Sequence, residues 1–285
     1  MSLNNFSVNN FFKNGFYVYK NLLDKDEIKK IQDSFEEKKR STILKKKYFE
    51  SDDERCWDYL TNKRLLEIIR KMLGQNIYYM HDLNLMEHTI DDQTGTWHRD
   101  SPCRRTGIGP DWDNNFPYNV LTTITYLGSS IDTFSNLNVI TGSHKTNYKN
   151  TLSNKMRFLH WKMKNKSNFL FNCQRNIIKN IIGKKIEYKE GDCVIFFANL
   201  YHMGTGIVNS ARKNRQIIVS RFGGEGKHSK NYINYIFKHR KEAPNYSIHE
   251  RKDNFFNHLK KEKIFYPEPD KKIDIEGVFS NIAEY

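Results

Sequence analysis

The chain has 285 residues, and its composition of 38% hydrophobic and 14% aromatic residues predicts a globular protein with one large core rather than a disordered one. No run is apolar for long enough to span a bilayer, and residues 1–5 lack the basic-then-apolar order of a signal peptide. The net charge of +14 fits nucleic acid, an anionic membrane or an anionic substrate as partner, and equally a lysine-rich surface without a function.

Two helices are predicted in the first part of the chain. Asp24 and Glu27 have the spacing of a capping box, and apolar residues follow at helical intervals, which predicts a helix from Asp24 to about Arg40. A second helix is predicted over 64–73, where a glycine follows the last turn. The charged segment between them, 41–56, is predicted to be a loop.

From residue 77 onward the pattern is that of β-strands. Short runs rich in β-branched and aromatic residues are bounded by turn residues. They predict strands at 77–89, 120–127, 137–140, 186–188, 194–197 and 216–222. Helices that precede a set of strands favour an α+β fold, mainly β, with the helices packed outside a sandwich or barrel.

Three long segments lie outside these strands. Residues 101–118 are punctuated by Pro, Gly and Asn, which predicts a loop that acts as a lid or a substrate wall. Residues 146–183 are lysine-rich with scattered aromatics and are predicted to be a helical insertion. Residues 223–285 are predicted to form a helical tail. Four cysteines without C-x-x-C spacing indicate reduced thiols, so we expect a cytoplasmic protein.

His98 and Asp100 are the first candidate metal ligands. Residues two apart in an extended segment project to the same side, so these two can bind one metal ion while Arg99 points away. His202, just after an apolar strand, can complete a set of two imidazoles and one carboxylate. This set suits Fe(II) and leaves coordination positions for a co-substrate and O2.

An arginine near the second histidine fits a further requirement of such a site. Arg215 opens the last predicted strand, and its planar guanidinium can hold a dicarboxylate co-substrate through two hydrogen bonds. Arg212 is the alternative anchor. The other candidates are weaker: His144 lies in a Gly-Ser-His turn, where a structural hydrogen bond is the default interpretation.

In their order along the chain, these motifs resemble the phytanoyl-CoA dioxygenase family of Fe(II)/2-oxoglutarate oxygenases over most of residues 10–222. The segments that carry the resemblance are Asn14–Leu23, Trp97–Asp100, Asn138–Lys145 with its Gly142-Ser143-His144-Lys145, Glu190–Phe197, His202–Gly206 and Asn209–Arg215. The segment between His202 and Asn209 is longer than the family's pattern, which leaves both Arg215 and Arg212 open as the 2-oxoglutarate anchor.

The resemblance implies a fold, cofactors and a reaction. It implies a double-stranded β-helix (a cupin-like jelly roll) over 77–222, preceded by the helices of 1–76, within a single domain of residues 1–285. It implies Fe(II), 2-oxoglutarate as co-substrate and O2, with Arg215 and Thr205 holding 2-oxoglutarate. The expected reaction is hydroxylation of a C–H bond in a small metabolite, with release of succinate and CO2.

The substrate itself does not follow from these motifs. Arg104 and Arg105 could meet an anionic group, with Trp112 and Phe116 as packing walls. Two other functions stay open: a nucleic-acid-associated oxidative demethylase, suggested by the basic charge, and an inactive jelly-roll binding module. The sequence predicts no oligomeric state.

Overall fold

The computed structural model describes residues 6–41, 48–50, 54–88, 97–100, 118–133, 135–145, 173, 183–205, 213–239 and 253–266. The helices are α1 Val8–Asn14, α2 Lys25–Ser41, α3 Glu54–Leu60, α4 Lys63–Leu73, α5 Ser130–Thr133, α6 Lys227–His239 and α7 Asp253–Lys261. The strands are β1 Phe16–Tyr19, β2 Tyr48–Glu50, β3 Ile77–His88, β4 Val120–Tyr126, β5 Leu137–Val139, β6 Lys184–Ile186, β7 Cys193–Phe197, β8 His202–Gly204, β9 Arg215–Gly224 and β10 Ile264–Phe265.

These strands form two sheets. The larger has the order β1-β7-β4-β9-β3-β10, with β2 paired to β3, and its described pairings are antiparallel except that of β10 with β3. The smaller sheet, β6-β5-β8, is antiparallel. The protein is therefore a mixed fold of helices and a large antiparallel sheet, and at this level the predicted combination of elements is confirmed.

The two faces of the larger sheet are buried against different partners, because successive side chains of a strand point to opposite faces. In β4, Ile124 and Tyr126 share a core with Leu137 and Val139 of the smaller sheet. Leu121 points the other way, into a core built with helices α2, α3, α4 and α7. The larger sheet thus lies between a layer of helices and the smaller sheet.

Both helices predicted near the N-terminus are confirmed. Asp24 Oδ1 accepts a hydrogen bond from the Glu27 N–H at 2.9 Å, and Glu27 Oε2 accepts one from the Asp24 N–H at 2.8 Å, so the capping box forms as expected. Helix α4 begins after Asn62, whose side chain caps it, and ends at Gly74, where φ is 93°.

The loop predicted for 41–56 is wrong in two places. Residues 48–50 form strand β2, which pairs with β3, and helix α3 begins at Glu54. Helix α1 and strand β10 were not predicted either, and β6 begins two residues before the predicted 186–188. These elements are short, so contacts with distant segments stabilise them more than their own periodicity does.

In the predicted lid (101–118) and the predicted insertion (146–183), residues 101–117, 146–172 and 174–182 lie outside the described residues. The tail contains the expected helices, α6 and α7, within its described part. None of the described helices combines the length and the hydropathy that crossing a membrane would require.

Candidate metal centre

Backbone hydrogen bonds bring the two candidate histidines together. The N–H groups of His98 and His202 each donate to the other residue's carbonyl oxygen at 3.0 Å, which makes an isolated antiparallel bridge. The Asp100 N–H donates to the carbonyl oxygen of Ala198 at 2.7 Å. Main-chain hydrogen bonds therefore hold the segment that carries His98 and Asp100 against the chain leading into β8.

The three candidate ligands converge on one point. Asp100 Oδ1 lies 3.7 Å from His98 Nε2 and 3.6 Å from His202 Nε2. One ligand atom from each residue lies within 4.8 Å of the other two, a separation that one metal ion can bridge. The Asp100 and His202 side chains are buried, whereas that of His98 is 32% exposed, so the site opens to solvent on the His98 side.

His202 is oriented for metal binding by a backbone carbonyl. Its Nδ1 lies 3.1 Å from the Leu200 carbonyl oxygen, which accepts a hydrogen bond only if Nδ1 carries the proton. Nε2 then keeps its lone pair and faces Asp100. The ring of Phe196 packs at 4.7 Å between centroids and limits rotation of the imidazole. A histidine held in this way is a typical metal ligand.

The two oxygens of Asp100 have separate partners. Oδ1 faces the histidines. Oδ2 accepts a hydrogen bond from Thr122 Oγ1 at 3.0 Å and forms an ion pair with Arg221 Nη2 at 3.1 Å. Sequence reasoning did not identify Thr122 or Arg221. Arg221 lies within a run of apolar and β-branched residues, and a charged residue inside a buried strand is the signal that could have indicated it.

Arg99 points away from the two ligands on either side of it, as the spacing predicted. Its Nη2 donates to the Ser143 carbonyl oxygen at 3.1 Å, and its guanidinium lies 3.9 Å from the centre of the Tyr201 ring. The residue between the ligands thus connects the metal segment to the Gly142–His144 turn.

Arg215, at the start of β9, has a hydrogen-bond donor that the described residues do not use. Its Nη1 donates to the Thr205 carbonyl oxygen at 3.2 Å, while its buried Nε has no hydrogen-bond partner among the described residues. A carboxylate would satisfy such a donor. Gly204 lies against the guanidinium, since a Cβ there would be 3.4 Å from Nη1 and Nη2. Arg212 lies outside the described residues.

The Thr205 hydroxyl is hydrogen-bonded to the backbone of Asn136. Its hydroxyl accepts from the Asn136 N–H at 2.6 Å and is 3.1 Å from the Asn136 carbonyl oxygen, to which it donates. Its contact with Arg215 is through its carbonyl oxygen. The other predicted substrate residues, Arg104, Arg105, Trp112 and Phe116, lie outside the described residues.

His144 has the structural hydrogen bond that its turn predicted. Its Nε2 lies 2.9 Å from the Phe12 carbonyl oxygen, and its ring stacks on Phe197 at 4.8 Å between centroids. Gly15 packs against the ring, where a Cβ would lie 2.3 Å from Nδ1. Burial lowers the pKa of His144 from 6.5 to about 4.

The His144 pKa makes the stability of the fold sensitive to acid. Between pH 6.5 and 4 the unfolded chain binds a proton that the folded chain excludes, so the free energy of unfolding falls as the pH falls through this range. From pH 7.5 to 5 the loss from this histidine should be about 2 kcal/mol. Urea unfolding of wild type and His144→Gln at both pH values measures it. Equal pH slopes would contradict the assignment.

By sequence, the chain matches no protein-family profile and no curated protein. By structure, it is similar to HygX from Streptomyces hygroscopicus solved with nickel and 2-oxoglutarate bound, with a TM-score of 0.57, 14% identity and coverage of 75% of this chain and 84% of HygX. HygX with iron bound gives a TM-score of 0.55 at 15% identity, again over 75% of this chain and 84% of HygX. EvdMO1 gives 0.50 at 15% identity, over 77% of this chain and 49% of EvdMO1. The chain therefore shares the fold of these proteins and carries a His-Asp-His group that can hold a metal.

Proposed function

We propose that the chain is an Fe(II)/2-oxoglutarate-dependent dioxygenase of the phytanoyl-CoA dioxygenase family that hydroxylates a C–H bond of a small metabolite. The observation that carries the proposal is the convergence of His98, Asp100 and His202 within 4.8 Å. It stands on a fold shared with HygX, which has been solved with iron and with nickel and 2-oxoglutarate. In this proposal the two sheets are the walls of a jelly roll within a single domain.

The donor set fits a ferrous ion. Two neutral imidazole nitrogens and one carboxylate oxygen are ligands that Fe(II) binds on one face. Contacts within the protein position all three ligands. A backbone bridge places His98, the Leu200 carbonyl oxygen orients His202, and Thr122 and Arg221 hold Asp100. When bound, Fe(II) and 2-oxoglutarate supply the activation of O2 that oxidises the substrate, with release of succinate and CO2.

The described residues also fit 2-oxoglutarate. The buried Nε of Arg215 lacks a partner among them, so a carboxylate placed there would satisfy a group that otherwise costs free energy. We assign the distal carboxylate of 2-oxoglutarate to Arg215. Thr205 supports this role by accepting from Arg215 Nη1 through its carbonyl oxygen, which orients the guanidinium.

The protein's part in the reaction is to bind, orient and exclude water. Asp100 supplies the anionic ligand, and a carboxylate at this position of the family motif favours hydroxylation, or the related desaturation and ring formation, over halogenation. The substrate would enter from the His98 side, where the site is open. Arg104 and Arg105 are proposed to meet an anionic group of the substrate, with Trp112 and Phe116 packing against its apolar part.

Anaerobic titration tests the proposal directly. Wild-type protein with Fe(II) should develop a visible charge-transfer band on addition of 2-oxoglutarate and none on addition of succinate, which lacks the keto group. After O2 is admitted, a panel of small metabolites should reveal a substrate that stimulates succinate release. Absence of both the band and succinate would contradict a 2-oxoglutarate-dependent reaction. Salt-sensitive binding of generic DNA or RNA in a gel shift would instead favour the demethylase alternative.

A further inference from the structure

A cluster of buried polar residues lies on the inner face of the larger sheet, beside the candidate metal ligands. It consists of Asp82 and Asn84 on β3, Thr122 on β4 and Arg221 on β9, and is called the Arg221 cluster below. Each of the four is at most 8% exposed. Buried charges are costly unless they are paired, so such a group inside a sheet requires an explanation.

Strand register brings the cluster together. Thr122 and Arg221 are direct partners across β4 and β9. On the other side, Tyr79 pairs with Phe222 and Leu83 with Ser220, so residues 80–82 of β3 stand opposite Arg221 alone. This irregularity places Asp82 against the guanidinium. Bulges that redirect a side chain in this way are common next to functional sites.

Arg221 contacts three groups of the site at once. Nη1 pairs with Asp82 Oδ2, Nη2 lies 3.1 Å from Asp100 Oδ2, and Nε donates to Thr122 Oγ1 at 3.2 Å. The Thr122 hydroxyl in turn donates a hydrogen bond to Asp100 Oδ2 at 3.0 Å. Asn84 Nδ2 donates to the other oxygen of Asp82. Both contacts that Arg221 and Thr122 make to Asp100 are therefore to the oxygen that faces away from the histidines.

We propose that Arg221, oriented by Asp82 and assisted by Thr122, is a positioning residue that holds Asp100 so that only Oδ1 is offered to the metal. The inference rests on the proposed function and adds to it a determinant of metal affinity. The planar fork of arginine is essential to this role, because it reaches Asp82, Thr122 and Asp100 in fixed directions. A lysine at this position would supply the positive charge without the fixed geometry of the three contacts.

Two other roles for Arg221 predict different effects of its removal on metal affinity. If only its charge mattered, the guanidinium would repel a nearby divalent cation, and its removal would tighten metal binding. If it served only to neutralise Asp82 and Asp100 for folding, its removal would lower the free energy of unfolding without a specific effect on metal affinity in the folded protein. Positioning predicts weaker metal binding.

The test measures the Kd of Mn(II), a redox-inert probe of the site, by calorimetry, together with urea unfolding of each variant. Arg221→Gln should weaken Mn(II) binding by about 10- to 100-fold, the usual effect of removing a residue that orients a ligand. Arg221→Lys should bind more weakly than wild type and more tightly than Arg221→Gln. Wild-type affinity in Arg221→Lys, or tighter binding in Arg221→Gln, would overturn the proposal in favour of a charge effect.

Thr122→Val keeps the test decisive if the Arg221 variants do not fold. It removes one hydroxyl at nearly constant shape and should weaken Mn(II) binding by about 10-fold, the lower end of the range for residues that orient a metal ligand. Thr123→Val is its matched control. Thr123 is equally buried on the same strand but points to the opposite face, where it bonds Ser220 and Tyr59. Thr123→Val should leave the Mn(II) Kd unchanged.

Lys20→Met is a second control, because it breaks an ion pair with another buried carboxylate, Asp192, outside the site. It should lower stability and leave Mn(II) affinity as in wild type. Equal Mn(II) affinities in wild type, Arg221→Gln and Thr122→Val would overturn the role of the Arg221 cluster alone. Failure of wild type to bind Mn(II) or Fe(II) would overturn the proposed function itself.

Discussion

Replacing Asp100 by asparagine should lower the rate of succinate formation by on the order of a thousandfold, equivalent to about 4 kcal/mol of lost stabilisation. Asparagine has nearly the shape of aspartate but offers a neutral oxygen, which is a poor ligand for Fe(II). It also places an amide where Arg221 Nη2 and Thr122 Oγ1 now donate to Oδ2. The measurement is succinate release under saturating Fe(II) and 2-oxoglutarate.

The matched control is Asp58→Asn, which removes a carboxylate on the exposed surface of α3, where it pairs with Lys30. That change should leave turnover within about twofold of wild type, because exposed ion pairs contribute little. Unfolding curves for both variants separate a loss of site chemistry from a loss of folded protein. Full succinate formation by Asp100→Asn would contradict the triad.

Replacing Arg215 by methionine should raise the KM for 2-oxoglutarate by about 100-fold, or about 2.7 kcal/mol of binding free energy. Methionine fills similar space but cannot donate hydrogen bonds to a carboxylate. The effect should fall mainly on KM, because the distal carboxylate is bound in the same way before and during the reaction. Initial rates over a range of 2-oxoglutarate concentrations measure both parameters.

Arg212→Met is the control that separates the two candidate anchors. If Arg215 holds 2-oxoglutarate, Arg212→Met should have a KM close to that of wild type. A large rise in KM for Arg212→Met with little change for Arg215→Met would transfer the role to Arg212. Shorter dicarboxylates offer a further check, since a shifted anchor should alter which chain length inhibits best.

Two kinds of sequence pattern predicted helices and strands of the fold. The capping box at Asp24 and Glu27 is a local pattern, and the helix it predicted begins where expected. The apolar run before His202 predicted a buried strand, which is β7. By contrast, β2 and β10 could not be predicted, because each is a short edge segment that exists through its pairing with β3.

The candidate site also has some features that the sequence predicted and others that it did not. His98, Asp100 and His202 were selected because their residue types and order along the chain suit Fe(II), and the fold brings them together. Thr205 was predicted to help hold 2-oxoglutarate, and the structure shows its hydroxyl bonded to Asn136 and its carbonyl oxygen bonded to Arg215. The path of the backbone decides whether the hydroxyl or the carbonyl oxygen of a threonine faces a site. A sequence motif does not specify that path.

The sequence by itself determined the chemistry that this protein can offer: two imidazoles, a carboxylate and a guanidinium, placed in or next to segments whose periodicity makes them strands. Only the tertiary structure decided that Thr122 and Arg221 contact the far oxygen of Asp100, and that Asp82 pairs with Arg221. Those contacts depend on strand register and on one irregularity in β3. The alternating pattern of a strand fixes which face each side chain occupies. Which residue of a distant strand it stands opposite is decided only when the whole sheet packs.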